Sequence, residues 1–152
     1  MLSKKAKYSI RALLYLARHR GEGPVLIRDI AESESIPHKF LETILLELKN
    51  VGILQSKLGK GGGYFLERSP DTIPLGRIIR MTEGPLAPVS CVSQTAYAPC
   101  EECDDERTCV IRFIMKQVRD AKSKILDEAT LETMLQQEKK SAEANYVVDF
   151  TI

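Results

Sequence analysis

No run in this chain approaches the roughly 20 continuous apolar residues that a membrane span requires. There is no tryptophan and few other aromatics, within an apolar share of 43% that is ordinary for a soluble protein. A secretory leader is not expected either. The opening MLSKKAKYSIRALLYLARHRGEG regains charge at Arg18 and Arg20 with no small-residue cleavage site after it, so it reads as an amphipathic helix. A cytoplasmic protein is therefore expected, in a compartment where structural disulfides are disfavoured. Catalytic sets are lacking too: no nucleophile, base and orienter fall together, and no convergent acid pair stands out. The one dithiol that could serve an oxidoreductase, Cys100-x-x-Cys103, lies between EEC and DDE. Neighbouring acids raise a thiol pKa, and that motif ordinarily opens a helix within a βαβ unit. An enzyme is not expected.

A chain of 152 residues suits one globular domain, or one small domain with an oligomerisation arm. The net charge of +1 hides a gradient. Residues 1–68 carry 12 Lys/Arg against 7 Asp/Glu, and residues 69–152 carry 10 against 14. A basic first half and an acidic second half point to a polyanion on the first. Many solvated faces carry as much charge, so the gradient needs support from the elements.

From Ser3 to about His19, Ile10, Leu13, Leu14 and Ala17 fall on one helical face. Lys4, Lys5, Lys7 and Arg11 crowd its first turns, where cations oppose the helix dipole, so an outside partner such as phosphate is expected. GEGP at 21–24 breaks the chain. A short helix over Leu26–Ser33 and another from Pro37 to Lys49 follow, separated only by SESI. Leu41, Ile44, Leu45 and Leu48 line the inner face of the second. A first helix followed by two more across so short a turn is helix-turn-helix spacing. Asn50 and Gly52 can close the last of them. ILQS (53–56) and YFLE (64–67) then read as strands around the turn KLGKGGG. Three helices and a β-hairpin make a winged helix.

Further on, a short helix is expected over Leu75–Thr82, then an acid- and cysteine-rich segment at 86–108. A long helix over Cys109–Glu128 carries Ile111, Ile114, Val118, Ala121 and Ile125 in alternating steps of three and four. That is the spacing of a coiled-coil seam, and it suggests a dimerisation arm. A last short helix is expected from Thr130, with the tail from Asn145 loosely held.

The second helix of the pair would turn His38, Lys39, Glu42 and Thr43 toward a major groove. Glu42 can accept from cytosine N4, and Thr43 can meet a base or a thymine methyl. Lys4, Lys5, Arg28, Lys57 and Lys60 would serve phosphates, and Gly61 and Gly62 would let the wing backbone approach closely. The plainer alternative is a small helical domain with solvated charges, but helix order, basic wing and charge gradient agree on DNA. The glycine run is no nucleotide loop. It lacks the Walker glycine and hydroxyl positions, and counting from Gly59 the third dinucleotide glycine falls on Tyr64.

All four cysteines, Cys91, Cys100, Cys103 and Cys109, stand in one C-x8-C-x2-C-x5-C window. Such an array can hold an iron–sulfur cluster or a tetrahedral zinc, or act as metal-free thiols that oxidise reversibly. Spacing leaves the three open. The histidines are weaker candidates: His19 reads as a helix-end cation and His38 as a phosphate contact.

The segments LSKKAKYSIRALLYLA, IRDIAESESIPHKFLETILLELKNVGIL, LGKGGGYFL and IPLGRIIRMTEG resemble the IscR/NsrR/CymR family of bacterial winged-helix regulators (the Rrf family) over nearly the whole chain. The resemblance implies a homodimeric regulator, usually a repressor, joined through a long C-terminal helix with a sensing loop before it. Cluster-binding members place three cysteines in that loop, whereas CymR-like members lack them and act through a protein partner. It places a base-reading acid at Glu42 and outer cluster cysteines at Cys91 and Cys109, leaving the middle one ambiguous between Cys100 and Cys103. This chain departs from the pattern in three places. Leu58 stands where the wing arginine is usual. Arg112 stands where one group has a histidine ligand. Lys7 lies near the place of an acid that nitric-oxide sensors borrow from the partner, and no acid precedes Glu22.

The expectation is thus a mainly α protein with a small β-hairpin, divided into a winged helix-turn-helix domain at 1–68 and a sensing and dimerisation region at 69–152. Its partners would be double-stranded DNA and a second copy, with no membrane. Its cofactor would be an iron–sulfur cluster, taken as two-iron two-sulfur, and zinc or no metal stay open. A fourth cysteine in place of the missing ligand would give an all-cysteine site within one subunit. The rival is a metal-free or zinc-bearing interaction protein whose long helix binds another protein.

Overall fold

A computed structural model describes residues 2–149. Helix α1 (Lys4–Arg18) starts at Ser3, whose hydroxyl accepts from the Ala6 amide at 3.1 Å. Its apolar stripe and the small residues Ala6, Ser9 and Ala12 are buried, so neighbouring elements approach it closely. Helix α2 (Ile27–Glu34) and helix α3 (His38–Asn50) are joined by Ser35 in the left-handed region at φ 51°. Ile36, 3% exposed, is driven into the core just after it. Pro37 stands one position before α3, extended, and its carbonyl accepts from Leu41 at 2.9 Å.

Strand β1 (Leu54–Lys57) pairs antiparallel with β2 (Gly63–Leu66), each shifted by one residue from the sequence reading. Leu54 faces Leu66, and both turn inward. Alternation of side chains on a strand thus points Leu54, Ser56, Tyr64 and Leu66 one way and Gln55, Lys57 and Phe65 the other. Val25 adds a one-residue third strand. Its amide and carbonyl both bond Tyr64 at 2.8 Å. Gly63 permits this: a Cβ there would stand 2.9 Å from the Val25 nitrogen and closer still to its carbonyl.

Helix α4 (Leu75–Glu83) and the long α5 (Val110–Glu128) follow, the second preceded by a 3-10 turn at Ser90–Val92. Arg80 of α4 forks onto Asp127 of α5 at 2.6 and 2.8 Å and holds that carboxyl below the usual range. Gly76 leaves room for the Asp127 carboxylate.

The final helix is not short. Helix α6 (Leu131–Asp149) is 19 residues, and helical backbone continues through Asn145 to Asp149, beyond the point where the tail was expected to loosen. From Gln136 to Ala144 its residues are Gln, Glu, Lys and Ala with one Ser, mostly good helix formers without an apolar stripe. Its start packs against α1. Leu131 is fully buried in the same core cluster as Leu13, Leu45 and Ile78, and Arg18 forks onto Glu138 at 3.0 and 3.2 Å. That core holds side chains from both sides of residue 68. Leu131→Ala is therefore expected to destabilise the protein by about 3 kcal/mol. Urea unfolding followed by circular dichroism checks this, and a loss under ~1 kcal/mol would mean that α6 only rests on the surface.

Candidate nucleic-acid interface and cysteine cavity

Helix α3 buries Leu41, Ile44, Leu45 and Leu48 against α1, which leaves His38, Lys39, Glu42 and Thr43 on its exposed face. His38 Nδ1 stands 3.4 Å from Glu42 Oε1, within ion-pair reach when protonated. Phe40 and Leu46, 41% and 52% exposed, lie outward as well. The sequence reading missed them because it sought polar partners on that face. Arg28, on the first turn of α2, is exposed beside Asp29. Lys4 is exposed, but Lys5 pairs with Glu47 of α3 at 2.6 Å, so one cation of the crowded first turn has an internal partner.

Lys57 and Lys60 are exposed at the end of β1 and in the turn 58–62. Gly59 and Gly61 have positive φ with open space around them. Gly62 differs from the expectation: it is buried, and a Cβ there would stand 2.8 Å from the Gly59 carbonyl and closer to that of Lys57. Gly62 lets the turn close on itself, while Gly61 is exposed at the tip.

The four cysteines lie around one cavity of about 350 Å³, lined also by Val89, Ser90, Glu102, Ile111 and Arg112. Cys91 is buried in the 3-10 turn, Cys103 and Cys109 are half-buried, and Cys100 is exposed. Cys109 caps α5. The Arg112 amide donates to its sulfur at 3.4 Å and lowers its pKa below the ordinary thiol value, helped by a hydrogen bond from Cys103. Burial and that same contact push Cys103 up. The Arg112 side chain pairs with Glu106 at 3.3 Å without a well-aligned hydrogen bond from its buried Nε. Tyr97 donates to the same Glu106 at 2.7 Å.

Among the described residues no three Cys, His, Asp or Glu side chains are arranged to hold a metal ion as they stand. The donor chemistry still fits an iron–sulfur cluster: four thiols facing one cavity, the pKa of one of them lowered by an amide hydrogen bond, with a guanidinium beside them. Closing such a site would require the segment between Cys91 and Cys109 to tighten. Its first end is tied to α5, because Arg119 donates to the Val92 carbonyl at 2.5 Å. That strut has no signal in the sequence, since an arginine within a charged helix is unremarkable.

No residue of helix α5 is fully buried. Val110, Ile111, Phe113, Ile114, Val118 and Ile125 are all exposed, Ile125 at 67%. Val118, Ala121 and Ile125 form one wall of a groove of about 750 Å³ completed by Leu2, Ile79, Pro85 and Leu86. Among the described residues no helix is long and apolar enough to cross a membrane.

The family model for Rrf2, described as an iron-dependent transcriptional regulator, matches residues 2–137. An rrf2-like HTH-type transcriptional regulator of Rhodobacter capsulatus is 39% identical over 138 residues, covering 89% of this chain and 92% of the relative. The structure of CymR, the global cysteine regulator of B. subtilis, aligns with a TM-score of 0.74 at 32% identity, over 90% of this chain and 97% of that one. That of T. potens IscR aligns at 0.73 with 29% identity, over 93% and 90%.

Proposed function

We propose, from the premise that this chain belongs to the Rrf2 family of winged-helix transcriptional regulators, that it binds a pseudo-palindromic operator as a homodimer and senses through its cysteine cavity. It is a transcription regulator, not an enzyme. In this reading residues 1–68 carry the DNA contacts and 69–152 carry sensing and dimerisation, with Ile73, Ile78 and Leu131 of the second segment closing the core of the first. Glu42 and Thr43 read bases. Lys4, Arg28, Lys39, Lys57 and Lys60 meet phosphates, with His38 and Lys5 at the margin, and Gly61 and Gly62 shape the wing.

The observation that carries the sensing half is that every cysteine of the chain lines one cavity at the start of an uncovered helix. Cys91, Cys100, Cys103 and Cys109 would hold an iron–sulfur cluster within one subunit. Arg112, engaged by Glu106, is no ligand and offers its charge to an anionic site instead. Such a cluster supplies a redox- and oxidant-sensitive charge when bound. The chain's own residues do the rest. Cys109 fixes the start of α5, and Arg119 ties the backbone beside Cys91 to the middle of that helix, so a change in the loop is felt along α5. A regulator needs operator affinity to differ between loop states. Thiol oxidation without metal is the second reading, favoured by the contact between Cys103 and Cys109.

Protein purified without oxygen is expected to be brown, with iron and acid-labile sulfide in comparable amounts and little zinc, and each single Cys→Ala variant should lose cluster occupancy. Full occupancy in any one of them removes that cysteine from the ligand set, and colourless protein after reconstitution favours the thiol reading. Operator affinity should fall steeply with salt as phosphate contacts release counterions. Glu42→Ala should relax base preference at one position by about 1–3 kcal/mol without changing the salt slope. A uniform loss across all sequences would instead assign Glu42 to positioning.

A further inference from the structure

Away from the cysteines, a cavity of about 480 Å³ opens between the end of α1, the loop 21–24 and the wing. Its walls are apolar: Leu16, Val25, Phe65 and Leu66. Three basic residues, His19, Arg20 and Lys57, line it from two elements, together with Tyr64, and no Asp or Glu lines it. We propose that this cavity is a binding site for a small amphipathic carboxylate, an aryl- or alkyl-carboxylic acid whose apolar body fills the cavity and whose acid group meets the basic rim.

The geometry sets out the roles. His19 stacks on Tyr15 with ring centroids 4.2 Å apart, and its Nδ1 lies 2.8 Å from the Tyr15 carbonyl. A carbonyl oxygen only accepts, so Nδ1 carries a hydrogen, and Nε2 is left to accept the proton of a carboxylic acid and then donate it to the carboxylate. Arg20 is held by Ser69, Nη1 donating to its hydroxyl at 3.0 Å, which leaves the other guanidinium donors free of that bond. Lys57 supplies a mobile charge from the end of β1. Arg20 and Lys57, facing one concavity without an acid between them, repel one another, and an anion removes that repulsion. The apolar walls decide the kind of anion. A phosphate backbone is fully hydrated and gains nothing from Phe65 or Leu16, whereas a ligand with a hydrocarbon body does. The volume falls in the range of small-molecule sites.

The site also touches the wing. Val25 and Tyr64, both lining residues, form the bridge between the α1–α2 loop and β2. A ligand seated there contacts α1 and the wing together, so its occupancy changes the wing's freedom and hence operator affinity.

The test uses full-length protein and named probes: benzoate, phenylpyruvate and octanoate, with benzyl alcohol, octanol and inorganic phosphate as controls. Amide chemical shifts are expected to move saturably for residues 16–25 and 57–66 with a carboxylate probe, and not with the neutral alcohol of the same body or with phosphate. A His19→Gln, Arg20→Gln double variant, which spares the proposed DNA contacts, should weaken carboxylate binding at least tenfold while its operator binding and melting curve stay unchanged. Equal binding of carboxylate and alcohol, no saturable shift with any probe, or undiminished binding by the double variant overturns the proposal. If only phosphate shifts these residues and operator DNA displaces it, the cavity is part of the DNA surface and the proposal fails. Cluster content plays no part in any of these readouts.

Discussion

Gly63→Ala should cost the protein about 3 kcal/mol of stability, enough to lower its melting temperature by roughly 6–12 °C for a chain of this size. Two penalties combine at this one position. Gly63 sits at φ 144°, a conformation that L side chains rarely adopt. Its hydrogen also faces the Val25 backbone so closely that an added methyl must push the α1–α2 loop away from β2. Pushing the loop away breaks the paired hydrogen bonds between Val25 and Tyr64, each 2.8 Å. Backbone cannot rotate aside as a flexible side chain can, so overpacking of about 1–3 kcal/mol adds to the conformational strain. Gly61→Ala is the comparison. It also sits at positive φ, 73°, but nothing lies within 4 Å of a Cβ there, so it should cost only about 1–2 kcal/mol. Thermal unfolding of the two variants side by side decides the matter. Equal losses would mean that the bridge between loop and wing contributes nothing.

Ile125→Glu together with Val118→Glu should convert the proposed dimer to monomer and weaken operator binding by about 10²-fold or more. The two side chains are 67% and 45% exposed in the protomer, so a charge there leaves the monomer's own packing intact. In a two-fold dimer each substitution is met by its own copy, placing like charges within an apolar seam. Two half-sites read by tethered copies gain an avidity of about 10²–10⁴ over one, and the monomer forfeits it. Sedimentation velocity and operator titration should move together. A variant that remains dimeric would place the interface elsewhere, and one that is monomeric with undiminished operator affinity would show that a single copy is the binding unit.

The parts legible in the sequence were those with a periodic signal and a stop. Ile10, Leu13, Leu14 and Ala17 repeat along α1, and the short SESI spacing marked the turn between α2 and α3 because no longer connection fits it. Helix α5 was visible for the same reason. What escaped has no period. Val25 is a strand of one residue, defined only by its partner Tyr64. From Gln136 to Ala144, α6 shows no apolar face, and its first turn is anchored by a leucine that shares its core with residues from Leu13 to Ile78, 53 to 118 positions earlier. At the candidate sites the residue types could be named, but their partners could not. Lys5 is drawn to Glu47, Gly62 is folded inside its own turn, and Arg119 reaches the Val92 carbonyl. The first and last depend on contacts across the fold, and the second on the closure of a turn, none of which local spacing encodes.

The place of Leu131 in the core bears on how the molecule comes into being on the ribosome. Helices α1, α2 and α3 are synthesised first, yet the cavity that Leu131 fills stays open until α6 has been made. The earlier helices can form locally within microseconds, but their shared apolar surface is not closed until the first turn of α6 has emerged. Contacts of such long sequence separation slow the last folding step and leave apolar surface exposed in the meantime, a window in which a nascent or truncated chain is prone to self-association. Helix α6 thus governs when the core around α1, α2 and α3 is complete.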